Sequence, residues 1–153
     1  HLVVVGKQVE SQQRYYDQLV ERLAELGIES RVTFLGWRDD IPRLLGSFDV
    51  FVLASITEAC PMVVLEAMAM QCPVVATDVG GVSEQIPDPD YGWVVPPKDP
   101  HSLSTAIEES LTAEDSQVRT INARRRVEER FSLEVCASTH AAVYQSVNSR
   151  RRS

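Results

Sequence analysis

Short apolar runs alternate with amphipathic stretches along most of this chain. Leu2 to Val5 is continuously apolar and ends at Gly6, the pattern of a buried strand. Tyr15, Leu19, Leu23 and Leu26 then recur at helical spacing, with Ser11 as a candidate N-cap and Gly27 as the stop. Val32 to Leu35 reads as a second strand closed by Gly36, and Ile41 to Phe48 as a short helix. Val50 to Ala54 is a third strand. A helix begins near Pro61, where the missing N–H costs nothing. Pro73 to Ala76 is a fourth strand, Ser83 to Ile86 a short helix and Gly92 to Val95 a fifth strand. Helices are expected over Ser102–Thr112, Ser116–Phe131 and Leu133–Val147. Strand and helix thus alternate about five times, which predicts an α/β, Rossmann-like parallel sheet with helices on both faces. Ligands of such sheets lie beyond the carboxyl ends of the strands. Gly6, Gly36, the Ser55–Glu58 loop and the Asp78–Gly81 loop are therefore expected along one edge.

One helix breaks the amphipathic rule. From Met62 to Met70 every residue is apolar except Glu66. A helix apolar all round is expected to be buried, so Glu66 asks for a partner. That partner is either a ligand or an ordinary structural neighbour, an Arg or a backbone amide. Glu58 lies in the loop feeding the helix, and the N–H groups at the helix start attract anions. Two carboxylates for hydroxyls beside a helix start for phosphate suit a sugar nucleotide.

Composition narrows the field without deciding it. The 153 residues suit one domain, with 44% hydrophobic and 24% charged residues. A net charge of −7 argues against a nucleic-acid partner. Cys60, Cys72 and Cys136 lack paired spacing and read as reduced thiols of a cytoplasmic protein, with Cys60 a packing residue. His and Cys never cluster at ligand spacing, so neither a metal nor a cofactor is expected. Gly6-Lys7-Gln8 is neither a dinucleotide fingerprint nor a Walker loop. The loop at Gly36 either holds a base or simply turns, and Trp37 either stacks on a base or caps the core. Residues 148–153, with Arg150–Arg152, read as a flexible basic tail behind a domain over 1–147.

Several motifs together carry a resemblance. They are Val32-Thr33-Phe34-Leu35-Gly36, Asp49 to Ser55, a Glu-x7-Glu spacing from Glu58 to Glu66, Pro73 to Gly81 with Glu84, Gly92 to Pro97, and Phe131-Ser132. The sequence resembles the carboxyl-terminal, donor-binding domain of retaining group 1 glycosyltransferases, one half of the two-domain GT-B fold. The resemblance implies that Glu58 contacts the hydroxyls of the transferred sugar and that Glu66 accepts from the ribose. It implies that the backbone of Ala59, Cys60, Pro61 and Met62 faces sugar and diphosphate, and that Gly36, Trp37 and Arg38 read the base. It further implies a UDP- or GDP-linked sugar, no essential metal, an N-terminal acceptor domain outside these residues, and peripheral membrane contact where acceptors are lipids. Ala59 departs from the glycine usual after the first Glu, Gln71-Cys72 from the usual context before Pro73, and Lys7-Gln8-Val9 from a Gly-x-Gly-Pro loop. The family's diphosphate-gripping Arg and Lys would lie upstream of His1, so the fragment alone is expected to be inactive. A sugar-nucleotide epimerase-like or phosphorylase half and a non-catalytic flavodoxin-like module are the rival readings; a receiver would need acids after the first strand.

Overall fold

The computed structural model describes residues 1–150, with side chains through Asn148. The chain divides into two compact units, His1–Ile41 and the portion from Pro42 onward. The described part of the tail expected at 148–153 is helical backbone as far as Arg150, and 151–153 lie outside the described residues.

In the first unit, β1 (Leu2–Val5) pairs in parallel with β2 (Val32–Gly36), with an irregularity between Val4 and Val5. The crossover is α1 (Gln13–Leu26). Its N-cap is Gln12 after a 3-10 turn, not Ser11, and Gly27 ends it in the left-handed region at φ 64°. That conformation lets Gly27 N–H and Ile28 N–H reach back to the Ala24 and Leu23 carbonyls, and glycine enters it without strain. Tyr16 meets Phe34 edge to face at 5.2 Å. The burial expected of β1 is not observed. Its residues alternate between exposed and half-buried, and Leu2 is 53% exposed. A continuous apolar run says that both faces tolerate burial, not that both are covered.

In the second unit, β3 (Phe51–Leu53), β4 (Val74–Thr77) and β5 (Trp93–Val95) form a parallel sheet with β4 in the centre. All four residues of β4 are buried, as a strand covered on both faces requires. The hydrogen-bonded ladders are thus a pair and a triple, both parallel, with helices on both sides. α2 (Ile41–Leu45) leads into β3, α3 (Met62–Ala69) links β3 to β4, and α4 (Val82–Gln85) lies between β4 and β5. α5 (Pro100–Thr112) is capped by Asp99, which accepts from the Ser102 N–H and hydroxyl, and these bonds hold its carboxyl below the usual range. Val75, Trp93, Val95 and Ala106 pack together, placing α5 on one face of this sheet. α6 (Ser116–Arg130) packs against α3, and α7 (Leu133–Arg150) follows it. Among the described residues no helix is long and apolar enough to cross a membrane.

Candidate functional site

Parallel pairing of β3 with β4 brings the loops after them to the same end of the sheet. Hydrogen bonds stitch these loops together. Thr77 Oγ1 donates to the Ser55 carbonyl at 2.6 Å, and Gly81 N–H donates to the Ala59 carbonyl at 2.8 Å. Gly80 adopts φ 54°, and a β-carbon there would sit 2.6 Å from the Ala59 carbonyl oxygen. Glycine is what allows the second loop to lie against the first.

The stitched loop carries Glu58. It is half-buried, and Ser55 Oγ donates to its Oε1 at 2.7 Å. One carboxylate oxygen is thereby oriented by the fold. Four residues later α3 begins at Met62, one position after the start the proline suggested, with Pro61 as N-cap. Among the described residues no side chain caps this helix, so its leading N–H groups lack the usual serine or aspartate partner. An uncapped helix start is an anion site in waiting.

Glu66 departs from expectation. It is exposed, not walled in by hydrocarbon, and its carboxylate makes no hydrogen bond or ion pair among the described residues. α3 buries Val64, Leu65, Ala67 and Met68 but leaves Met62, Glu66 and Met70 exposed. Those three positions are spaced by four and lie along one stripe. The apolar run therefore hides one face and presents another on which the only charge is Glu66. The carboxylate is free to accept from a ligand, though burial does not demand one.

Cys60, expected to pack, is exposed. Gln85 Nε2 lies 3.5 Å from its sulfur and donates to the Pro61 carbonyl at 3.2 Å. Nothing in the sequence singled out Gln85, because a buried amide in a four-residue helix has no periodic signature. Cys72 is the thiol that packs. It is buried, and loss of water pushes its pKa up to about 11.

The remaining candidates belong to the first unit. Gly36 ends β2 at φ 67°, and Trp37 is 76% exposed. Arg38 is held by two bonds to Asp40, at 2.8 and 2.6 Å, which push its pKa further up. A hollow of about 390 Å³ is lined by Gly36, Gly6, Lys7, Tyr15, Tyr16 and Phe34, among others. Among the described residues no cluster of His, Cys, Asp or Glu could hold a metal ion.

The family description "Glycosyl transferases group 1" matches residues 1–113. The chain belongs to the group 1 glycosyl transferases. It is 30% identical over 151 residues to the lipopolysaccharide core biosynthesis mannosyltransferase LpsB of Rhizobium meliloti, covering 95% of this chain and 42% of that protein. It is 35% identical over 118 residues to the D-inositol 3-phosphate glycosyltransferase of Mycolicibacterium gilvum, covering 76% of this chain and 27% of that one. Among solved structures it resembles Anabaena HepE in complex with UDP and glucose, with a TM-score of 0.89 and 29% identity over 94% of this chain and 40% of that one. Sucrose-phosphate synthase from Thermosynechococcus elongatus gives 0.82 and 31%, covering 97% of this chain and 39% of that one. The chain spans less than half the length of each of these relatives. As a group 1 glycosyl transferase it carries the Rossmann-like half of the GT-B fold, and several of its relatives are lipopolysaccharide core biosynthesis enzymes.

Proposed function

We propose that this chain is the donor-binding half of a glycosyltransferase that moves a sugar from a nucleoside diphosphate to an acceptor. One observation carries the reading. The Glu58–Met62 loop, fixed by Thr77 and Gly81, presents an oriented carboxylate directly before a helix start that no side chain caps. Glu58 accepts from hydroxyls of the sugar through the oxygen that Ser55 leaves open. The N–H groups of Ala59, Cys60 and Met62 face the sugar and diphosphate, with the Pro61 backbone shaping the turn between them. Their preorganised dipoles offset charge that grows on the leaving diphosphate. Glu66, on the open stripe of α3, accepts from the ribose hydroxyls. Gly36, Trp37 and Arg38 are assigned to the base, a separate proposal supported by the exposed indole and the backbone that Gly36 leaves open.

The reading extends to a retained anomeric configuration, to independence of metal, and to a cytoplasmic enzyme whose acceptor domain lies outside these residues. It covers 1–147 as the donor-binding part and includes peripheral membrane contact where the acceptor is a lipid. UDP is the first nucleotide to try, because HepE was crystallised with it, and GDP is the second. The isolated 153 residues bind nucleotide and transfer nothing, and radiolabelled transfer by them would contradict that. The deciding test is a thermal-shift and calorimetry panel of UDP, GDP and ADP. One nucleotide stabilises the chain by about 2 kcal/mol at roughly 30 times its dissociation constant. A flat response to all three overturns the reading.

A further inference from the structure

Gln85 is 1% exposed. Its Nε2 is spent on the Pro61 carbonyl and on Cys60 Sγ, while its Oε1 is buried with no partner among the described residues. Methionine would fill nearly the same volume without stranding an acceptor. Packing therefore does not explain the amide, and its donor side must. Cys60-Pro61 is the link between the Glu58 loop and α3. Pro61 has no N–H and α3 has no side-chain cap among the described residues, so the Pro61 carbonyl, which also accepts from Val64 N–H at 3.2 Å, is the handle by which the fold can set the Pro61–Met62 peptide plane and its N–H.

Arg126 stands behind Gln85. Its Nε donates to the Gln85 carbonyl at 3.0 Å and its Nη2 to the Glu84 carbonyl at 2.7 Å. The guanidinium also lies over the rings of Tyr91 and Phe131, at 5.2 and 5.7 Å. α4 is four residues long and cannot be rigid by its own bonds. The planar fork from α6 gathers its last carbonyls and holds Gln85 in register.

We infer that Gln85, held by Arg126, is a positioning residue for the donor loop. Its amide fixes the Pro61 carbonyl, and through it the direction of the first N–H groups of α3 and the seat of Glu58. This rests on the donor-binding reading above, in which neither Gln85 nor Arg126 touches the donor. Gln85→Met removes the donor and the stranded acceptor together. The variant keeps or raises the unfolding midpoint of the chain, yet binds UDP about tenfold more weakly, the scale of one lost hydrogen bond. Its ligand-free spectrum shows displaced amide resonances at Cys60, Met62 and Val63, and the Gly81 amide exchanges faster relative to the amides of β4. Arg126→Lys keeps the charge but loses the fork, and moves the same readings in the same direction. It decides the matter alone if Gln85→Met fails to fold. Unchanged UDP affinity with unmoved resonances overturns the inference. If the parent chain binds no nucleotide, the donor reading fails by itself, and the resonances and exchange rates still judge the positioning.

Discussion

A side chain at position 80 has no room beside the Glu58 carbonyl. The backbone of Gly80 is left-handed at φ 54°, and an added β-carbon would meet the Glu58 and Ala59 carbonyls below any contact distance real β-carbons adopt. Both neighbours are backbone, so neither can swing away. Gly80→Ala is expected to lower stability by about 3 kcal/mol in urea unfolding, the sum of left-handed strain and a forced loop shift. Gly81→Ala, whose β-carbon would meet the Ala59 carbonyl at 3.3 Å, costs about 1 kcal/mol or less. Equal losses at the two positions would show that the loops are not interlocked.

Ser55 and Glu58 form the oriented half of the site, at 2.7 Å. Ser55→Ala removes the hydroxyl but not the carboxylate. Stability is expected to fall by about 1 kcal/mol, because the bond is only part-buried and water can replace it. Binding of a UDP-sugar falls about fivefold while binding of UDP itself holds, since the sugar is what Glu58 is proposed to grip. Glu58→Gln deepens the sugar-specific loss. Calorimetry with both ligands separates the cases, and an equal loss for UDP and UDP-sugar would remove Glu58 from the sugar.

Glu66 offers an unusually clean test because it is exposed and unpartnered among the described residues. Glu66→Ala is expected to leave stability within about 0.5 kcal/mol of the parent. Its effect on binding is then free of any folding effect. UDP affinity falls by about 1.5–3 kcal/mol, the range for a hydrogen bond to a charged group. The parent discriminates UDP from its dideoxyribose analogue and the variant does not. Discrimination that survives in Glu66→Ala rules out the ribose role.

The α/β alternation, the stop at Gly27 and the order of the helices were legible because each rests on local chemistry: apolar period, a left-handed glycine, a proline at a start. Exposure was not legible. The run from Met62 to Met70 says that α3 can be buried all round, but which face is covered depends on neighbours far along the chain. The same limit overstated the burial of β1, whose bounds held, and made Cys60 a packing residue. Glu58 and Glu66 stand out in the sequence by their spacing, yet Glu66 is exposed and no buried charge demands a partner there. Gln85 and Arg126 escaped because their bonds join residues about 25 and 40 positions apart, beyond any motif window.

Cys72 ties stability to alkaline pH. Its thiol is buried 3.7 Å from the Phe48 carbonyl, and loss of water, with a smaller push from Asp49, raises its pKa from 9.0 to about 11 against the opposing backbone bond from Phe51. Below pH 9 the thiol keeps its proton in both the folded and unfolded chain, so it adds no pH dependence. Between pH 9 and 11 the unfolded chain releases that proton while the folded chain retains it. The unfolded state then binds fewer protons, and stability falls as pH rises. The loss reaches about 2 kcal/mol by pH 11 and levels off above it. The measure is a difference, so that every other pH-dependent contribution cancels. Urea unfolding of the parent and of Cys72→Ala from pH 8 to 11 gives two curves, and the parent's should fall more steeply. Cys72→Ala also leaves a small cavity that costs about 1 kcal/mol at pH 8, so the two curves converge and cross near pH 10. Parallel curves would mean that the thiolate is as well accommodated in the fold as in water.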